Sequence, residues 1–385
     1  MEIERQFTRI LEERLSEKMP LLQVVLGPRQ VGKTTGVEQV YHSWTAPKLT
    51  VTADSPLPPG PIWISQAWQK ARTMGKNVLL IFDEIQKVQG WSEVVKALFD
   101  VDRKKGNLKV VLLGSASLDM AQGLSESLAG RFELIKVHHW TPAECKKAFR
   151  WDCAQYLKFG GYPGPASFVS QLDRWQDYIK FSIIEPVLSR DIQGMAEVRK
   201  PALFRQTFEL ALRYPAQEIS FQKILGQLQE SGNVTTIKHY LELLAGAFLI
   251  KLLYKYSSRP ISTTTSSPKI LPLCPALIHA LTSPEKLSYD PEWKGRVFES
   301  VIGAHLCRSR GILYYWREGK HEVDFVLELD DKLYAIEVKS GRRRLSRGIE
   351  AFSERFKRAI PIVLDFSNGW EFLHTDDVDR FIQNC

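Results

Sequence analysis

Hydrophobic residues are spaced in three different ways along the chain, and each change of spacing marks a boundary. In the first part, short runs are apolar at nearly every position: Leu21 to Leu26, Val78 to Phe82 and the stretch LKVVLLGSAS. Such runs predict parallel strands covered on both faces. From Thr141 onward the spacing becomes helical. Phe221, Ile224, Leu225 and Leu228 form one amphipathic segment, and Ile237, Tyr240, Leu241 and Leu244 form a second, split by a turn at Glu230 to Asn233. The cluster FGGYPGPAS reads as a joint. From Glu292 the order changes again, to a helix EWKGRVFESVIGAHLCRS, strands ILYYWRE, HEVDFVLEL and KLYAIEVKS, a helix LSRGIEAFSERF and a last strand AIPIVLDF. The pattern predicts an α/β chain of three domains, 1–145, 146–288 and 289–385.

The first apolar run leads into GPRQVGKTT, in which Gly27, Gly32, Lys33 and Thr34 fit the GxxxxGK[ST] spacing between a strand and a helix. A loop of this kind turns successive backbone N–H groups, here Arg29, Gln30, Val31, Gly32, Lys33, Thr34 and Thr35, toward one phosphate-sized concavity at a helix N-terminus. Lys33 is expected to reach the β- and γ-phosphates, and the Thr34 hydroxyl to ligate Mg²⁺. The second run ends in Asp83 and Glu84. Asp83 is the expected magnesium carboxylate and Glu84 the group that polarises the attacking water. Taken alone, such a pair also reads as the N-cap of a following helix. The third run ends in Ser115 and Ser117, either of which could meet the γ-phosphate; beyond it, Arg131 in SLAGRF is a candidate charge-neutralising arginine, from its own or a neighbouring subunit.

Near the other end, strands HEVDFVLEL and KLYAIEVKS read as a hairpin closing at Asp330 and Asp331. Leu329 then faces Lys332, and Asp324 falls opposite Glu337. Opposed carboxylates repel, and Lys339 shares their face because side chains alternate. A divalent ion held by Asp324 and Glu337 would turn that repulsion into coordination. With Glu299 on the leading helix, this is the equipment of phosphodiester hydrolysis: carboxylates for Mg²⁺ or Mn²⁺, and a lysine for the attacking water or the developing charge. Arginines 342 to 344, with Arg347, Arg355 and Arg358, are candidate phosphate contacts or simply a solvated basic face.

Composition changes this picture little. The 385 residues are 44% hydrophobic and 25% charged, as in ordinary globular proteins. A net charge of +8 and a pI near 9.1 suit a polyanionic partner. The five cysteines show no CxxC spacing, so neither a zinc site nor a disulfide framework is indicated, and a reducing cytoplasm is expected. No apolar run approaches the ~20 residues of a membrane span, so no membrane is expected.

Residues 1 to about 145, through GPRQVGKTT, the strand ending in Asp83 and Glu84, and SLAGR, resemble an AAA+ type ATPase of a prokaryotic group. The resemblance implies Mg-ATP hydrolysis, a sensor at Ser115 or Ser117, and homo-oligomers. The middle segment, two helices with a short turn and then strands FLIKLLYKYS and SPKILPL, has the layout of a winged helix, with Thr235, Thr236, Lys238 and His239 exposed on the second helix. Glu299, Asp324 in EVDFV, and Glu337 and Lys339 in IEVKSG resemble the PD-(D/E)xK nucleases, the form shared by restriction enzymes and Holliday-junction resolvases; Val323 stands where that motif has proline. The whole resembles prokaryotic ATPases with a C-terminal domain of formerly unknown function. It implies an AAA+ P-loop sheet, a helical and winged-helix middle and a restriction-endonuclease-like α/β tail. The expected function is an ATP-hydrolysing DNA-processing enzyme whose metal-dependent endonuclease acts on DNA, branched DNA such as Holliday junctions included. The alternative is an ATP-dependent switch or DNA remodeller, such as a branch-migration motor, whose tail binds without cutting.

Overall fold

The computed structural model describes residues 3–18, 21–115, 124, 127–192, 198–228, 230, 232–257, 267–340 and 347–385. It forms two compact units, Met1–His138 with Ser189–Glu197, and His139–Leu188 with Val198–Cys385.

In the first unit, strands β1 (Leu22–Gly27), β2 (Lys48–Thr52), β3 (Val78–Asp83), β4 (Leu108–Ser115) and β5 (Phe132–Lys136) form one sheet in the order β2-β3-β4-β1-β5. All neighbours run parallel. Helices α1 (Gln6–Ser16), α2 (Lys33–Ser43), α3 (Ile62–Thr73) and α4 (Trp91–Asp102) accompany it. One face packs Val24, Leu80, Phe82 and Val110 against Trp68 and Val95 of α3 and α4. Every residue of β1 is buried, which is why its sequence shows no polar alternation. In a parallel sheet of this kind the ligand site lies at the carboxyl ends of the strands. There β1 gives way to the glycine-rich loop and β3 ends in Asp83.

The second unit begins with short helices and a wide-turned π segment, Tyr178–Ile184. Helices Phe221–Leu225 and Val234–Gly246 follow, capped by the Ser220 and Asn233 side chains on the N–H groups of Lys223 and Thr236. Ile237, Tyr240, Leu241 and Leu244 are buried as their spacing predicts. Thr235 and His239 are exposed, and Thr236 and Lys238 half-buried. Strands β6 (Gln217–Glu218), β7 (Ile250–Leu253) and β8 (Lys269–Pro272) make a small antiparallel sheet in the order β6-β8-β7. Most of the Ser/Thr-rich stretch between β7 and β8 lies outside the described residues.

The last sheet has the order β12-β11-β10-β9, from β9 (Ile312–Glu318), β10 (His321–Leu329), β11 (Lys332–Val338) and β12 (Ala359–Leu364). The β10–β11 hairpin has the predicted register, Leu329 with Lys332 and Phe325 with Ile336. Its turn residues Asp330 and Asp331 take φ of 50° and 60°, the left-handed pair of a two-residue hairpin loop. On one face Val326, Ala335, Ile349 and Phe352 cluster under helix Arg347–Arg355. On the other, helix Pro291–Leu306 comes so close that a Cβ on Gly303 would lie 2.6 Å from the Phe325 ring. Glu299 rides on that helix.

Candidate functional sites

The nucleotide loop is shaped by contacts that leave no room for side chains. A Cβ on Gly27 would stand 2.2 Å from the Val137 carbonyl oxygen, and Gly32 has φ 84°, a left-handed conformation that favours glycine. From the N-terminal arm, Arg5 donates to the carbonyls of Val31 (2.8 Å) and His138 (3.0 Å), fixing the loop from behind. Lys33 opens α2 and is buried, with Nζ donating to the carbonyls of Gly27 (3.0 Å) and Pro28 (2.7 Å). Thr34 and Thr35 are exposed at the helix start.

Thr34 and Asp83 line the same cavity, of about 240 Å³, together with Glu38, Tyr41, Thr50 and Ile81. A hydroxyl and a carboxylate facing one space at the mouth of a phosphate loop are a fitting donor pair for Mg²⁺, which takes one or two protein oxygens and leaves the rest to water and phosphate. Burial above all, then the neighbouring charge of Glu84, raises the Asp83 carboxyl to about 6 against the pull of Lys33. Asp83 Oδ1 also accepts the Glu84 N–H at 3.1 Å. Glu84 has φ 52° and ψ 36°, an uncommon conformation for a non-glycine residue. Its side chain does not cap the short helical turn that follows, and instead accepts from Gln86 Nε2 at 2.7 Å.

Gly27 and Ser115 are register partners, so β4 ends beside the loop, while Ser117 lies outside the described residues. Arg131 is elsewhere. Its carbonyl accepts from Leu22, the first residue of β1, which puts it roughly 16 Å along the sheet from Gly27 at 3.3 Å per residue. Its guanidinium is forked onto Asp100, with Nε–Oδ1 2.7 Å and Nη2–Oδ2 2.9 Å. The fold therefore does not bring Arg131 to the nucleotide loop of its own chain.

In the tail, Glu299, Asp324, Glu337 and Lys339 come together around one end of the hairpin, joined by two residues that the sequence reading passed over. Lys269, the first residue of β8, is 1% exposed. Its ammonium lies 2.6 Å from Glu299 Oε1, 3.6 Å from Glu322 Oε1 and 3.7 Å from Asp324 Oδ1. It also donates to the Asp324 carbonyl at 3.2 Å. Burial opposes the charge on Lys269, but the carboxylates of Glu299, Asp324 and Glu322 outweigh it and hold its pKa above the usual lysine value. Burial, then the charge of Asp324, pushes the Glu299 carboxyl above its ordinary value, against the pull of Lys269. Asp324 turns its other oxygen to the Val338 N–H at 2.8 Å, and Glu337 is paired with Lys339.

The expected repulsion between Asp324 and Glu337 is thus relieved inside the protein, by two lysines and a peptide N–H. As placed, these carboxylates do not fit a divalent ion: Glu299 and Asp324 share the ammonium of Lys269, and Glu337 is engaged by Lys339. Among the described residues no group of three or more His, Cys, Asp or Glu is arranged to hold a metal. Arg355 is paired with Glu318, Arg347 and Arg358 are exposed, and arginines 342 to 344 lie outside the described residues. A signal for Lys269 was present in SPKILPL, where one lysine opens a strand whose four residues are all buried.

Residues 20–146, which hold the parallel P-loop sheet and its acidic strand end, match the family model described as an AAA domain. Residues 150–288 and 294–382 match two models described as domains of unknown function. The chain is 29% identical over 354 residues to an uncharacterized protein of Mycobacterium tuberculosis, covering 88% of this chain and 74% of the relative. Among solved structures it is similar to a Walker-type ATPase of Pyrococcus abyssi, with TM-score 0.45, 16% identity and coverage of 72% of this chain and 95% of that one. It is also similar to the RuvB Holliday junction branch migration motor of Thermotoga maritima, with TM-score 0.33, 15% identity and coverage of 64% and 88%. Among the described residues no helix is long and apolar enough to cross a membrane.

Proposed function

We propose that the protein is an ATP-hydrolysing switch or remodeller working on DNA, and that its tail binds without cutting. The ATPase part rests on the convergence of the loop, Thr34, Asp83 and Glu84. On nucleotide binding, Lys33 exchanges its two carbonyl partners for phosphate oxygens, and the loop N–H groups take up the remaining charge. Glu84 accepts a proton from water as the water oxygen attacks the γ-phosphorus. The bond to the β–γ bridging oxygen breaks and its electron pair leaves with ADP. Thr34 and Asp83 would hold magnesium, which would supply charge neutralisation at the phosphates.

The choice between binding and cutting is carried by one observation, the Lys269 ammonium among Glu299, Glu322 and Asp324. The nuclease reading requires Asp324 and Glu337, with Glu299 beside them, to be available to a metal. The net charge of +8 and the helix face of Thr235, Thr236, Lys238 and His239, exposed at Thr235 and His239, support a DNA partner. Homo-oligomers and a role for Arg131 across a subunit boundary belong to the same proposal.

The test is ATP hydrolysis by the wild type and Lys33→Ala, beside binding and cleavage of duplex, single-stranded and four-way-junction DNA in Mg²⁺ and in Mn²⁺. Hydrolysis lost in the variant, with DNA bound but intact, is expected. Cleavage that disappears on Asp324→Ala overturns the non-cutting tail; hydrolysis that survives Lys33→Ala overturns the ATPase site.

A further inference from the structure

Gln86 lies two residues beyond Glu84, and nothing in the P-loop pattern requires it. Four observations give it a task. Gln86 is 5% exposed, unusual for a side chain that water would otherwise solvate. Its Nε2 lies 2.7 Å from Glu84 Oε2. Its Oε1 reaches over Gly114, the penultimate residue of β4, so closely that a Cβ there would stand 2.8 Å away. Glu84 itself leaves β3 in a left-handed turn, with its N–H on Asp83 Oδ1 at 3.1 Å, and that turn aims its side chain back toward Gln86.

We infer that Gln86 is a positioning residue for Glu84. By donating to Oε2 it fixes the orientation of the carboxylate that is to receive the proton of the attacking water. Because the amide also rests on β4 at Gly114, one residue before Ser115, the strand that ends beside the nucleotide loop sets the orientation of the carboxylate. A shift at the end of β4 would reach Glu84 through Gln86. The inference rests on the ATPase reading and deepens it.

The experiment is steady-state ATP hydrolysis with parallel binding of a fluorescent ATP analogue, by the full chain and its variants. Gln86→Ala should lower kcat about tenfold, the worth of a hydrogen bond to a charged group, and leave KM and analogue binding within about twofold. Gly114→Ala should reproduce the loss by displacing the amide, since the group its Cβ meets is the movable end of a side chain. In a Glu84→Gln background, Gln86→Ala should cost nothing further, because the carboxylate it positions is gone.

Unchanged kcat in both Gln86→Ala and Gly114→Ala overturns the inference while leaving the ATPase standing. An equal loss with and without the Glu84 carboxylate also overturns it, by showing a role in the fold rather than at Glu84. Should Gln86→Ala lose analogue binding, Gly114→Ala decides between the same outcomes. A wild type that hydrolyses no ATP removes the ATPase reading and this inference together.

Discussion

Lys33 and Lys269 are both buried lysines beside acidic residues, and they differ in what holds them. Lys33 donates to two neutral carbonyls of its own loop, and Thr34 and Asp83 face an open cavity beside it. Lys269 lies within 3.7 Å of three carboxylates, its charge already matched. A cation resting on carbonyls gains by moving to a phosphate. A cation at the centre of carboxylates would leave buried charge behind if it moved, and that cost is large. By this contrast the first site suits an incoming anion and the second is held by its own ion pairs, although both look like catalytic constellations when written as sequence.

The contrast can be broken most forcefully at Lys33. Lys33→Ala should reduce ATP hydrolysis at least about a hundredfold, the scale of losing a preorganised group that meets transition-state charge, with the melting temperature little changed; a phosphate-release assay and a thermal melt check both. Lys269→Met should do the opposite, lowering stability by about 3–5 kcal/mol because it strands buried carboxylates. Denaturant unfolding measures the loss, and adding Glu299→Gln should recover part of it. A Lys269→Met protein as stable as the wild type would show that the cluster is not an ionic core.

A smaller effect is expected from pH. The Asp83 carboxyl is raised to about 6 in the folded protein, so its protonated form is favoured by folding. Its contribution to stability is present at acid pH and is lost as pH rises through about 6. Magnesium needs the ionised form, so Mg-ATP should bind roughly tenfold more weakly at pH 5 than at pH 7.5, from the fraction of Asp83 ionised. Titration of a fluorescent analogue would show it, and Asp83→Asn should flatten the dependence to that of the nucleotide alone. The smallest effect is predicted for Arg131→Ala, since its exposed pairing with Asp100 lies at the other end of the sheet. The melting temperature should not move, and a fall in hydrolysis that grows with protein concentration would assign the arginine to a neighbouring subunit's site.

The sequence made these two sites unequally legible. The P-loop is a local arrangement: loop, helix start and strand end follow from glycines and apolar runs read in order, and Gly27, Gly32 and Asp83 lie where those runs imply. The β10–β11 register was legible for a similar reason, because alternation and the two-aspartate turn leave little freedom. What neutralises Asp324 was not. Lys269 is 55 positions away in the chain, and a single lysine at the head of an apolar strand has no pattern that points to its partner. Glu322 was passed over because it sits two residues before Asp324 in a strand read for one acid. Gln86 stood beside the pair Asp83 and Glu84, hidden by the turn in Glu84 that no pattern of polar and apolar positions records.

The most direct measurement of the claim that one site is open and the other closed follows ATP turnover and DNA integrity in a single reaction. Wild type, Lys33→Ala and Asp324→Ala are incubated with a four-way junction in Mg²⁺ and in Mn²⁺. Turnover lost only in Lys33→Ala, with the junction uncut by all three proteins, is the predicted result. A junction cut by the wild type and spared by Asp324→Ala would contradict it.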